Sequence, residues 1–184
     1  MTNEIASLIA DLNVKDDTVR KSALDRLMAL TETQVDWIYD HLETLCAKFK
    51  SDNSYQRNIG AMLIANLAKS DAQQKLDGVL DRYVAQMNDE KFITARITLQ
   101  HAWRFGIAGE TFAERIAQGL VEALKSNRHL RTHGNLIRLD AITSLCEILK
   151  AWPKAADIDA ARTAITDSCD AKEAMKLLPL LDVS

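Results

Sequence analysis

The stretch Ser51–Phe105, SDNSYQRNIGAMLIANLAKSDAQQKLDGVLDRYVAQMNDEKFITARITLQHAWRF, carries one register twice and extends it to both flanks. Asp17, Asn53 and Asp89 stand 36 residues apart, and so do Ala23, Ile59 and Ala95, and Leu27, Leu63 and Leu99. Each set reads as a helix-capping polar residue followed by apolar residues on one face of the next helix. A repeat of this length is the mark of stacked helical hairpins, because one hairpin cannot bury its own apolar face.

Working outward, Ile5, Leu8, Ile9 and Leu12 predict a short amphipathic first helix. Asp16-Asp17 then caps a second, whose apolar face is Val19, Ala23, Leu24, Leu27 and Leu30. Val35, Ile38, Leu42, Leu45, Cys46 and Phe49 give the next stripe. Residues Ser54–Lys69 are apolar over more than half a helical circumference, as an inner repeat requires. Gly60 sits inside that helix although its register partners, Leu24 and Arg96, are large. Leu76, Leu80 and Val84 recur as Phe112, Ile116 and Leu120, again 36 residues on. Gly106 and Gly109 are expected to close the helix between them.

The register then slips. Asp89 maps to Asn135 and Leu99 to Leu145 at an offset of 46, so about ten residues are inserted after Leu124. Leu136, Leu139, Ile142, Leu145, Cys146 and Leu149 complete that hairpin, and Trp152-Pro153 ends it. The expected architecture is all-α: an α-solenoid of about five antiparallel helical hairpins in one domain over residues 1–184. The hairpins fall near 3–30, 34–69, 75–105 and 110–150, with an acidic C-terminal cap over 155–182.

Composition agrees with this reading. Apolar residues make up 47% of the chain, yet aromatics only 5%, with 6 Gly and 2 Pro, which favours helices and short turns over a sandwich or barrel. A formal charge of −3 is too mild to imply nucleic-acid or membrane binding by the whole molecule. The charge is unevenly spread. Residues 1–50 hold nine acids against six bases, whereas residues 106–154 hold seven bases against five acids. No stretch approaches the roughly 20 apolar residues of a membrane span, and Met1–Ile5 begins no signal peptide. Cys46, Cys146 and Cys169 are scattered and form no CxxC, so free thiols in a reducing cytoplasm are expected, with no cysteine-based metal or redox centre.

The tracts Asp17-Thr18-Val19-Arg20-Lys21-Ser22-Ala23, Asp52-Asn53 leading to Arg57 and Leu63, and Asp89 leading to Ala95, Arg96 and Leu99 resemble the second-helix pattern of HEAT repeats. The resemblance covers residues 5 to 150 or so. Asp52–Arg57 and Asp89–Arg96 look in particular like the corresponding tracts of short bacterial HEAT-like proteins. It implies a curved helical array that meets a protein partner, without chemistry of its own. It also implies that Asp17 and Arg20, Asp52 and Arg57, and Asp89 and Arg96 belong to a structural ladder of ion pairs between neighbouring repeats.

Candidate sites are few. No nucleophile motif, phosphate-cradling glycine loop or paired-carboxylate signature is present, so no catalytic residue, cofactor or small-molecule substrate is assigned. His129 and His133 are spaced as metal ligands on one helical face but lack a third ligand, so no metal is assigned. A DNA glycosylase of HEAT-like architecture would need tryptophans and a carboxylate facing a basic groove. Trp37, Trp103 and Trp152 are available for that, although Trp103 shares its register with Leu67 and so reads as core. The sharpest signal is the insertion itself. Lys125, Arg128, His129, Arg131, His133 and Arg138 lie in a tract without an acid, expected to project from its hairpin as the most positive patch of the protein. Insertions in repeat arrays map to one face and often bind there. The expected function is a non-enzymatic protein-interaction scaffold with an anionic-partner site at residues 125–138. The alternative is a nucleic-acid-binding module that uses the same residues.

Overall fold

Polar residues at the turns start several of the helices. Asp16 accepts hydrogen bonds from the Thr18 and Val19 N–H groups, Asn53 from Tyr55, Asp157 from Asp159 and Ala160, and Asp170 from Glu173. The computed structural model describes residues 2–182, Thr2 by its backbone alone. Among the described residues there are ten α-helices and no strand. They are α1 (Thr2–Asp11), α2 (Asp17–Leu30), α3 (Ile38–Ala47), α4 (Ser54–Leu67), α5 (Asp77–Gln86), α6 (Phe92–Gly106), α7 (Glu110–Ser126), α8 (Leu130–Ala151), α9 (Ile158–Ser168) and α10 (Ala171–Leu177). Short 3-10 turns follow α3 (Lys48–Lys50), α4 (Ala68–Ser70) and α10 (Leu178–Leu181).

The repeated positions form the core. Leu27, Leu63, Leu99 and Leu145 are each 1% exposed or less, and Ala23, Ile59 and Ala95 are buried with them. The helices that hold these leucines are neighbours in chain order, α2 packing on α4, α4 on α6 and α6 on α8. Among the first helices of the hairpins, α5 packs on α7 and α7 on α9. Val19 departs from its expected place on the apolar face of α2. It lies in the first turn, where no neighbouring helix covers it, and is 40% exposed.

Two small residues have reasons that the register does not show. A Cβ on Gly60 would stand 3.1 Å from Cβ of Lys48, so the 3-10 turn at Lys48–Lys50 crosses α4 at this glycine. A Cβ on Gly106 would stand 2.5 Å from Cδ1 of Ile148 on α8. Gly106 is therefore a point of close approach between α6 and α8. It is no left-handed stop, since no described glycine has positive φ. Gly109, also expected to close α6, stands instead before α7 in an extended conformation.

The extra residues after Leu124 do not project. They are absorbed into helix: α7 has 17 residues where α5 has 10, and α8 begins at Leu130 and runs for 22. A non-helical backbone at His133 (φ −141°, ψ 34°) kinks the first turn of α8 against the rest. Downstream, the acidic residues of the C-terminal segment are used locally. Asp157 and Asp170 cap α9 and α10, Glu173 pairs with Arg138, and Asp182 pairs with Arg162.

Candidate functional site

The turn between α7 and α8 is fastened to the turn between α5 and α6. Asn127 is buried; its Nδ2 donates to the Met87 carbonyl at 2.7 Å, and its Oδ1 accepts the His129 N–H at 3.0 Å. The Arg128 N–H donates to Asn88 Oδ1 at 2.9 Å. His129 Nε2 lies 2.9 Å from the Asp89 carbonyl. Phe92, the first residue of α6, receives both imidazoles, His129 edge-on at 5.5 Å and His133 stacked at 3.9 Å and 25°.

This clamp decides what the six residues predicted as a site can do. Lys125, Arg128, Arg131 and His133 are exposed on one corner of the molecule. Arg128 keeps a further bond from Nε to Asn88 Oδ1 at 3.4 Å, which leaves its terminal nitrogens outward. His129 is half-buried and committed to the clamp. Arg138 does not belong to the exposed set. It is buried, donating from Nη1 to Glu173 at 3.0 Å, from Nε to Ser168 Oγ at 3.0 Å, and from Nη2 to the Ser168 carbonyl. A guanidinium on α8 with two free neighbours, α9 and α10, meets their polar ends before it meets solvent.

Arg138 is instead the third member of a series of inter-helix pairs. Arg57 on α4 takes Asp89 in a bidentate pair at 2.8 Å, and Arg96 on α6 takes Asp140 on α8 at 2.6 Å. The resemblance implied a ladder between neighbouring repeats, and these pairs join residues 32 and 44 positions apart rather than the Asp and Arg of one tract. Arg57 reaches only the backbone carbonyls of Ser51 and Asp52, and Asp89 gives its carboxylate to Arg57 and to the Lys91 N–H, so it does not cap α6. Only Arg20 pairs locally, with Asp17. Burial alone would raise the Asp89 carboxyl, but the Arg57 guanidinium, the Lys91 N–H and the nearby charge of Arg128 hold it below the usual carboxylate range.

Other chemistry does not converge. Trp37 and Trp152 line different clefts, and Trp103, only partly buried, lies under the Arg104 guanidinium at 4.7 Å. All three cysteines are free thiols. Burial raises each of them, Cys46 to about 11, which keeps them protonated and unreactive near neutral pH. Among the described residues no three His, Cys, Asp or Glu side chains gather as metal ligands would, and no helix is long and apolar enough to cross a membrane. Asn88 and Phe92 read in the sequence only as parts of their own helix, and Asn127 only as part of the insertion, so their contacts at this corner were not legible.

No family model matches the chain, and no curated protein matches it. Its fold is similar to that of an engineered protein in a crystal structure from the Northeast Structural Genomics Consortium, with a TM-score of 0.54 at 14% identity over 98% of this chain and 99% of that one. At this identity the likeness concerns the all-helical fold alone.

Proposed function

We propose that this chain is a HEAT-like α-solenoid of about five hairpins that acts as a non-enzymatic protein-interaction scaffold, holding an anionic partner at Lys125, Arg128, Arg131 and His133. The single observation behind the site is the clamp. Asn127, Asn88 and the Asp89 carbonyl fix the backbone and the base of Arg128, so exposed cations stand on a rigid corner of a net acidic protein. Guanidinium groups presented in this way suit carboxylates and phosphates. Chain-order packing of α2, α4, α6 and α8 supports the array, and three unpaired thiols suit a reducing cytoplasm.

The test is capture of a partner from cell extract by the wild type and by Arg128→Glu/Arg131→Glu, with and without nuclease. Capture that survives nuclease and is lost in the double variant supports the reading. Capture abolished by nuclease, with a steep loss on added salt, would replace it with nucleic-acid binding. Capture unchanged by the charge reversal moves the contact away from this corner.

A further inference from the structure

α8 is the last of the helices α2, α4, α6 and α8 that pack in chain order, and α10 with the 3-10 turn after it covers only part of its outer flank. α10 has 7 residues and ends in the 3-10 turn Leu178–Leu181. Between this short element and α8 runs an open groove of about 410 Å3, floored by Leu136, Leu139, Leu177 and Leu180 and edged by Lys172 and Lys176. Leu139 is 43% exposed and Leu180 44%. Covering apolar side chains of this kind is favourable, and nothing in the described chain covers them.

Charge states the character of the missing cover. Of the two acids on the rim, Glu173 is paired with Arg138 at 3.0 Å, and Asp170, at the far end of α10, caps the helix by accepting the Glu173 N–H at 2.8 Å. Lys172 and Lys176 are exposed, and the ion pairs at this end of the described chain, Arg138–Glu173 and Arg162–Asp182, do not include them. Four residues apart on α10, they present two ammonium groups about one helical turn from each other. At its other end the groove begins at Asn135 and Leu136, directly after exposed Arg131 and His133 on α8.

We propose that this groove takes one amphipathic helix of a partner protein, with a leucine-like stripe flanked by carboxylates. The stripe lies on Leu136, Leu139, Leu177 and Leu180, and the carboxylates meet Lys172 and Lys176. An apolar groove read by a helix at i, i+3, i+4 and i+7, with charges setting its orientation, is a recurrent mode of recognition. The inference rests on the interaction-scaffold reading and names the chemistry of the partner.

The probe is a fluorescein-labelled synthetic peptide of about 18 residues, about 27 Å long as a helix, with Leu at i, i+3, i+4 and i+7 and Glu on either side. A second peptide carries Lys in place of Glu. The wild type should bind the Glu peptide at least about tenfold more tightly than the Lys peptide. Lys172→Glu/Lys176→Glu should reverse that preference, and Leu139→Ser should weaken both peptides about tenfold. Circular dichroism confirms that each surface variant is folded. Equal binding of both peptides by the wild type, or a preference unmoved by the lysine reversal, overturns the proposal. So does displacement of the Glu peptide by a labelled oligothymidylate, or a dimer in light scattering that dissolves on Leu139→Ser while the peptide stays unbound. If the peptide fails while extract capture is still lost with Arg128→Glu/Arg131→Glu, the groove falls and the scaffold stands. If the peptide preference holds while that capture is unaffected, the basic corner falls alone.

Discussion

Arg57 and Asp89 lie 32 residues apart and meet through both arms of the guanidinium, Nε to Oδ2 and Nη2 to Oδ1, each at 2.8 Å. Their side chains are 11% and 9% exposed, so α4 is tied to the α5–α6 turn by a pair largely out of water. Asp89→Ala leaves the guanidinium buried with only the Ser51 and Asp52 carbonyls. Removing one member of such a pair costs about 3–5 kcal/mol, and the two remaining bonds favour the lower end. The sign with pH comes from the depressed carboxyl. Its stabilisation is present above the unfolded-state value and is lost as pH falls through the folded one. Urea denaturation at pH 7 and at pH 3 should therefore show a large gap between wild type and variant that shrinks in acid. A constant gap would mean that the carboxylate is not what stabilises the contact.

The clamp at Asn127 revises what deletion of the insertion should do. A projecting loop could be removed without loss. This segment instead supplies a buried amide that satisfies the Met87 carbonyl, and two imidazoles that cover Phe92. Asn127→Ala should cost about 1–3 kcal/mol, since a buried carbonyl loses its partner. Deletion of residues 126–133 should lower the melting temperature more than that single change. A deletion variant that melts with the wild type would return the segment to the status of a loop.

The packing of α6 on α8 is tested through Gly106. Alanine there places a methyl within 2.6 Å of both Cδ1 and Cγ1 of Ile148, too close for rotation of the chain end alone to relieve. Overpacking of this kind costs about 1–3 kcal/mol. Ile148→Val removes Cδ1, and combined with Gly106→Ala it should recover part of the loss, although alone it destabilises. Additive losses in the double-mutant cycle would show that the two residues do not touch.

A physical line separates the legible features from the illegible ones. The spacing of Leu27, Leu63 and Leu99 marked the buried face, because a period in sequence becomes a face in a helix. The ion pairs were not legible by proximity. Arg57 has Asp52 five residues away yet pairs with Asp89, because side chains at turns reach the next hairpin more easily than back along their own. Arg138 looked exposed for the same reason, as its partners Ser168 and Glu173 come from helices folded back over it. Leu136 and Leu139 read as core. A stripe tells which face of α8 is apolar, but not that α10 is too short to cover it. The exposure of Lys125, Arg128 and Arg131 follows from their charge, whereas the anchoring of their corner comes from Asn88, Phe92 and Asn127, which no period distinguishes.

Lys48 gives a pH dependence opposite in direction to that of Asp89. It is 5% exposed in the 3-10 turn that crosses Gly60, and its ammonium meets only the amide oxygens of Asn13 and Gln56. Burial without a carboxylate disfavours the charged form and lowers its pKa from 10.5 to about 8. Above the unfolded value both states are neutral and the site costs nothing. As pH falls from there the unfolded chain takes up the proton first, so stability declines until the folded state also protonates near 8. Each pKa unit is worth about 1.4 kcal/mol, so the wild type should gain about 2 kcal/mol between pH 7.5 and 9.5 relative to Lys48→Met. The methionine keeps most of the side-chain volume against Gly60 and cannot titrate. Denaturant midpoints of the two proteins across that range are the measurement, with matched urea m-values to confirm the same unfolding reaction. Curves that run parallel would mean that Lys48 titrates in the folded protein as it does in the unfolded chain, its charge stabilised by water that reaches it.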